Sequence, residues 1–86
     1  MPAISRFFGI VISMYFNDHE PPHFHVKYAE RRASMEIDSL QISEGSLPRR
    51  VLALVTEWAE LHRAELQENW QRARDGHDLE SIPPLE

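Results

Sequence analysis

Within one dozen residues, Asn17-Asp18-His19-Glu20-Pro21-Pro22-His23-Phe24-His25-Val26-Lys27-Tyr28, the chain gathers three of its five histidines, two carboxylates and a Pro-Pro pair. No other stretch is so dense in groups that bind a metal ion or move a proton. The chain has no cysteine, so a metal would be held by imidazole and carboxylate alone. His23 and His25 stand at i and i+2, which on a strand sends both imidazoles to one face. Carboxylates from a neighbouring strand and a third nitrogen from His19 at the loop mouth complete a mixed N/O shell. Such a shell suits a divalent transition metal: zinc, nickel, manganese or iron.

The elements that must position these groups follow from periodicity. From Phe7 to Phe16 the even positions Phe8, Ile10, Ile12, Met14 and Phe16 are all apolar. Period two with β-branched and aromatic residues predicts a strand over about 7–16, with Gly9 marking a bulge or a close approach. Asn17 to Pro22 is turn chemistry, and the Pro-Pro corner fixes the separation of His19 and His23, with a cis peptide an acceptable solution there. Phe24, Val26 and Tyr28 then alternate with His23, His25 and Lys27, predicting a strand over 23–29. A third, over 32–38, turns Ala33, Met35 and Ile37 inward. A short fourth covers 40–43. A hairpin turning about Glu30-Arg31 sets His25 opposite Glu36 and His23 opposite Asp38. The expected metal set is therefore His19, His23, His25, Glu36 and Asp38.

The same residues support chemistry without a metal. His25 backed by Glu36 is a general-base pair, and Lys27, Arg31 and Arg32 are cations able to hold a phosphate, the outline of a small ribonuclease. The plain alternative is a sheet face open to water, with His–carboxylate pairs each contributing on the order of a few tenths of a kcal/mol.

Ser46 with Pro48 opens a helix and Gly76 closes it, so one amphipathic helix is expected over 48–75. As a straight rod it would be about 40 Å long, beyond the roughly 30 Å of a domain this size. It must overhang, bend, or pack its end on the Pro-containing tail, 77–86, or on another chain. His62 on the apolar stripe reads as a hydrogen-bonded core histidine, and Asn69 as satisfying a local carbonyl or the tail. Trp58 and Trp70 read as anchors of the core or of an interface. The expected core is Phe8, Ile10, Ile12, Met14, Phe24, Val26, Tyr28, Met35, Ile37, Leu40, Val51, Leu54, Val55, Trp58 and Leu66.

Composition narrows the classes. With 86 residues, 42% of them apolar and 27% charged, the chain falls among single globular domains and away from disordered ones. A net charge of −5 argues against a broad basic surface for nucleic acid. The apolar run from Phe7 to Ile12 is too short for a signal peptide or a membrane span, so a cytoplasmic protein without a membrane partner is expected.

The phrases Phe7-Phe8-Gly9-Ile10-Val11-Ile12 and Asp18-His19-Glu20-Pro21-Pro22-His23-Phe24-His25 carry a family likeness. So do the helix pieces Leu47-Pro48-Arg49-Arg50, Glu57-Trp58-Ala59 and Glu65-Leu66-Gln67-Glu68-Asn69-Trp70. Over nearly its whole length the chain resembles the small bacterial family labelled domain of unknown function 4160. The resemblance implies no activity. It implies a stand-alone bacterial protein, often encoded beside another small protein in an arrangement similar to toxin–antitoxin pairs. A protein partner is thus expected, either another small protein or a second copy, using the apolar surface and sheet edges that a small core leaves open. The expected fold is α+β: an antiparallel meander of three to four strands packed against one long C-terminal amphipathic helix.

Overall fold

Phe8 and Gly9 both take left-handed backbone torsions, φ 52° and 78°. Two successive positive φ values make the tight turn whose twist matches antiparallel strands. In the computed structural model, which describes residues 3–86, this turn divides the first alternating run into β1 (Ala3–Phe7) and β2 (Ile10–Ser13). The expected single strand over 7–16 is thus a hairpin. Period two continued through the turn because Phe8 is apolar, yet Phe8 stands out in solvent and is no part of the core.

After the Asn17–Pro22 loop come β3 (His23–Tyr28), β4 (Arg31–Glu36) and β5 (Ile42–Gly45), giving a five-stranded antiparallel sheet in chain order. The β3–β4 turn is the dipeptide Ala29-Glu30, since Tyr28 pairs with Arg31. His25 therefore faces Ser34, and His23 faces Glu36. The expected register, with His25 opposite Glu36 and His23 opposite Asp38, is wrong by two residues. A two-residue slip keeps every side chain on its face, so burial of Met35 and Ile37 could not discriminate between the two registers. The tighter turn places Ala29 at φ 54°, a cost that propensity alone argues against. Gly45 is required where β5 meets β4, because an added Cβ would lie 2.1 Å from the Arg32 carbonyl oxygen.

The long helix is two: α1 (Arg49–Leu61) and α2 (Arg63–Asp75), meeting at His62, whose backbone leaves the helical region at φ −120°, ψ 25°. The bend meets the length constraint, and the molecule measures 33 × 25 × 22 Å. Arg63 Nε donates to the Ile37 carbonyl (3.2 Å) and Gln67 Nε2 to Asp38 Oδ1 (3.0 Å), tying the start of α2 to the end of β4. α2 ends at Gly76 in a left-handed cap.

Trp58 is fully buried against Phe7 and Phe24, with Ile12, Met14, Met35, Ile37, Val55 and Leu66 equally excluded from water. Burying roughly 200 Å² of a tryptophan contributes about 5 kcal/mol at about 25 cal/mol per Å². Tyr28 and Leu54, expected in the core, are only partly covered. The tail lies as a strap across both helices and the edge of β1. Asn69 donates to the Glu80 carbonyl (2.8 Å) and accepts from its N–H (2.9 Å), Trp58 Nε1 donates to the Pro83 carbonyl (2.9 Å), and Ile82 N–H donates to the Ile4 carbonyl (2.8 Å). Among the described residues, no helix is long and apolar enough to cross a membrane.

Candidate metal centre

The Asn17–Pro22 loop folds back over the start of β3. Asn17 takes a left-handed torsion and the Glu20–Pro21 peptide is cis. Glu20 pairs with Arg74 and thereby fastens the loop to the end of α2. The return brings Asp18 over β3, with Oδ2 at 3.0 Å from His23 Nε2 and at 3.0 Å from His25 Nε2. Among the described residues Asp18, His23 and His25 form one group whose ligand atoms all lie within 4.8 Å of one another.

Each member is oriented by a second contact. His23 Nδ1 donates to the Pro21 carbonyl at 2.8 Å. His25 Nδ1 lies 3.3 Å from Ser34 Oγ. Asp18 Oδ1 accepts the His19 backbone N–H at 2.9 Å. The His23 ring is buried, its side chain only 5% exposed, between the rings of His19, His25 and Trp70 at 5.0, 5.1 and 5.3 Å. Tyr15 meets the edge of His25 at 4.4 Å. Trp70 of α2 therefore covers one side of the centre while the His25 side opens to solvent.

The His23 geometry has a chemical consequence. A carbonyl oxygen only accepts, so Nδ1 carries the ring's proton. In neutral His23, Nε2 is then the unprotonated nitrogen, 3.0 Å from Asp18 Oδ2, which sets two acceptors side by side. A positive occupant at Nε2, either a second proton or a metal ion, relieves that pairing. Nδ1–H to a carbonyl with Nε2 left for the ion is the usual way proteins orient a ligating histidine. Ligands at about 2.1 Å from one ion are about 3.0–3.4 Å apart when adjacent in octahedral or tetrahedral geometry, and the two Asp18 separations of 3.0 Å lie at the lower end of that range.

Of the residues read from the sequence as ligands, His23 and His25 come together. His19 lies at the mouth, its side chain 79% exposed, with Nε2 3.8 Å from Asp18 Oδ1. Glu36 and Asp38 do not join them. Glu36 accepts from Ser39 Oγ and Asp38 from Gln67, because the tighter turn shifts the strand pairing. The carboxylate expected behind His25 is thus Asp18 in place of Glu36. Asp18 escaped sequence reasoning because it reads as turn chemistry, and cross-strand logic does not reach a loop that returns over its own strand. Its one signal was its place in the histidine-dense dozen.

Burial works to raise the Asp18 pKa, but it is outweighed. The hydrogen bond from His25, that from the His19 backbone, and the charges of His23 and His25 hold it below its ordinary value of 3.8.

A family model described as Domain of unknown function (DUF4160) matches residues 9–71. No curated protein and no solved structure matches.

A lowered carboxylate pKa stabilises the fold at pH values above the unfolded value and loses that contribution as pH falls through the folded one. Urea unfolding of the wild type is therefore expected to lose stability below about pH 5, the ordinary carboxylate range. Asp18→Asn should lack that component of the acid limb. Parallel acid limbs in the two proteins would contradict the assignment.

Proposed function

The chain belongs to the DUF4160 family, a membership that fixes no activity, and on that premise we propose that it is a metal-binding protein holding one divalent transition ion through Asp18, His23 and His25. The observation that carries the reading is the convergence of Asp18, His23 and His25, with His23 Nδ1 engaged by the Pro21 carbonyl so that Nε2 is the nitrogen left for an ion. Two imidazoles and one carboxylate are three protein ligands, so coordination positions remain for water or substrate, as in catalytic rather than structural sites. An ion bound there supplies Lewis acidity and a more acidic bound water. The chain's own part is to hold the imidazoles through Pro21 and Ser34 and to exclude water on the Trp70 side.

A second reading, compatible with the first, is action through a protein partner, as in a toxin–antitoxin-type pair. It is favoured by Phe8, Phe16 and Leu61, large apolar side chains left exposed, and by β5, whose outer edge no other strand covers among the described residues. Light scattering tests self-association: a mass well above the 10.1 kDa of one chain supports a second copy as partner, and a monomer leaves only a different protein.

Calorimetric titration with zinc or nickel should give one site with Kd of about 1 μM or tighter. Asp18→Ala, His23→Ala and His25→Ala should each weaken it by about 100-fold or more, and His19→Ala by less than about fivefold. Affinity should fall as pH drops below about 6, because protons compete for the same nitrogens. Absence of binding in the wild type would end the metal reading. The hydrogen-bonded chain Asp18–His25–Ser34 would then stand as a metal-free acid–base group.

A further inference from the structure

On the face of the sheet turned away from the helices lies a groove of about 340 Å³ whose lining includes Val11, Tyr15, His25, Lys27, Arg32 and Glu44. That volume is within the small-molecule range of about 300–1,000 Å³. Its charges are arranged against the sheet's own stability. Lys27 sits directly opposite Arg32, and the same row continues through Val11 to Arg6. Like charges directly opposite one another destabilise a sheet. Among the described residues, none of these three cations has a carboxylate within 4.0 Å. This holds although the chain carries 14 acidic residues against nine lysines and arginines.

An anion lodged between Lys27 and Arg32 would relieve that repulsion and accept charge-assisted hydrogen bonds from both. The rest of the lining says what else the ligand carries. Val11 and Tyr15 offer apolar and aromatic surface. Glu44, which pairs with Ser34 one row on, accepts hydrogen bonds but repels a second anionic group. The ligand is therefore charged at one end and bears hydroxyl or amino groups at the other.

We propose that this groove binds a phosphate monoester of nucleotide size, with its phosphate held by Lys27 and Arg32 and its uncharged body against Tyr15, Val11 and Glu44. The site reaches the candidate metal centre through His25, which belongs to both, but binding does not require the ion.

The test is an amide NMR titration of the EDTA-treated full chain, at low salt, with adenosine 5′-monophosphate, inorganic phosphate and adenosine. The monophosphate should shift amides of the β2, β3 and β4 residues in the groove and bind about tenfold more tightly than phosphate, with adenosine weaker than both. Lys27→Gln and Arg32→Gln are exposed changes expected to leave the fold intact. Each should weaken the monophosphate by about tenfold or more, while Arg49→Gln should have no effect. Zinc affinity of the same two variants should be unchanged, so this inference and the metal reading fail separately. Unaltered affinity in Lys27→Gln and Arg32→Gln would overturn the proposal. So would shifts centred on Arg49 and Arg50, or a monophosphate no tighter than phosphate.

Discussion

One carboxylate oxygen, Asp18 Oδ2, lies 3.0 Å from the Nε2 atoms of two histidines. Around that shared contact the least regular part of the molecule is organised. The loop that carries Asp18 must turn back on itself within five residues to reach His23. Asn17 supplies a left-handed torsion for this, and Glu20 is held by Arg74 from the far end of α2. α2 begins after the break at His62 and carries both Trp70, against His23, and Arg74, paired with Glu20. The tail strap, fixed by Asn69 and Trp58, in turn ties α2 to α1 and β1. The helices thus do more than cover a core, since they close one wall of the histidine cluster.

The two faces of the sheet are accordingly given different work. One carries Ile10, Ile12, Phe24, Val26 and Met35 into the apolar interior, where their burial supports the fold. The other carries Ser13, His25 and Ser34 in one cross-strand row and Lys27 and Arg32 in the next. His25 is the joint between them and the loop, with one ring nitrogen toward Asp18 and the other toward Ser34. A change in the occupant of Nε2 therefore alters which partner Ser34 meets at Nδ1, since a hydroxyl can donate or accept. His25 is thus common to the cluster and the groove.

Much of this was legible from the order of residues, and the failures have physical causes. Alternation in β3 and β4 fixed which side chains face the interior, and it placed His23 and His25 together on one face. It could not fix the pairing. A slip of two residues conserves both faces, and the choice fell to an Ala29-Glu30 turn whose positive φ no propensity recommends. The turn at Phe8-Gly9 was hidden because an exposed phenylalanine continued the apolar beat. Helix length demanded a bend or an overhang, but nothing in the sequence at His62, neither proline nor glycine, marked where. Asn69 was recognised as a residue needing a backbone partner, and it found two in Glu80. Asp18 was in plain sight, yet its role depends on the loop's three-dimensional return, which no period describes.

Which nitrogen of His23 is left free for an ion decides the metal reading, and histidine ring ¹⁵N NMR, recorded without metal and then with one equivalent of zinc, reads it directly. Nδ1 should be protonated in both spectra, held by the Pro21 carbonyl. The Nε2 signal should move when zinc is added, because that nitrogen becomes the ligand. A neutral ring protonated only at Nε2, or an Nε2 signal indifferent to zinc, would contradict the claim that a cation joins this histidine to Asp18.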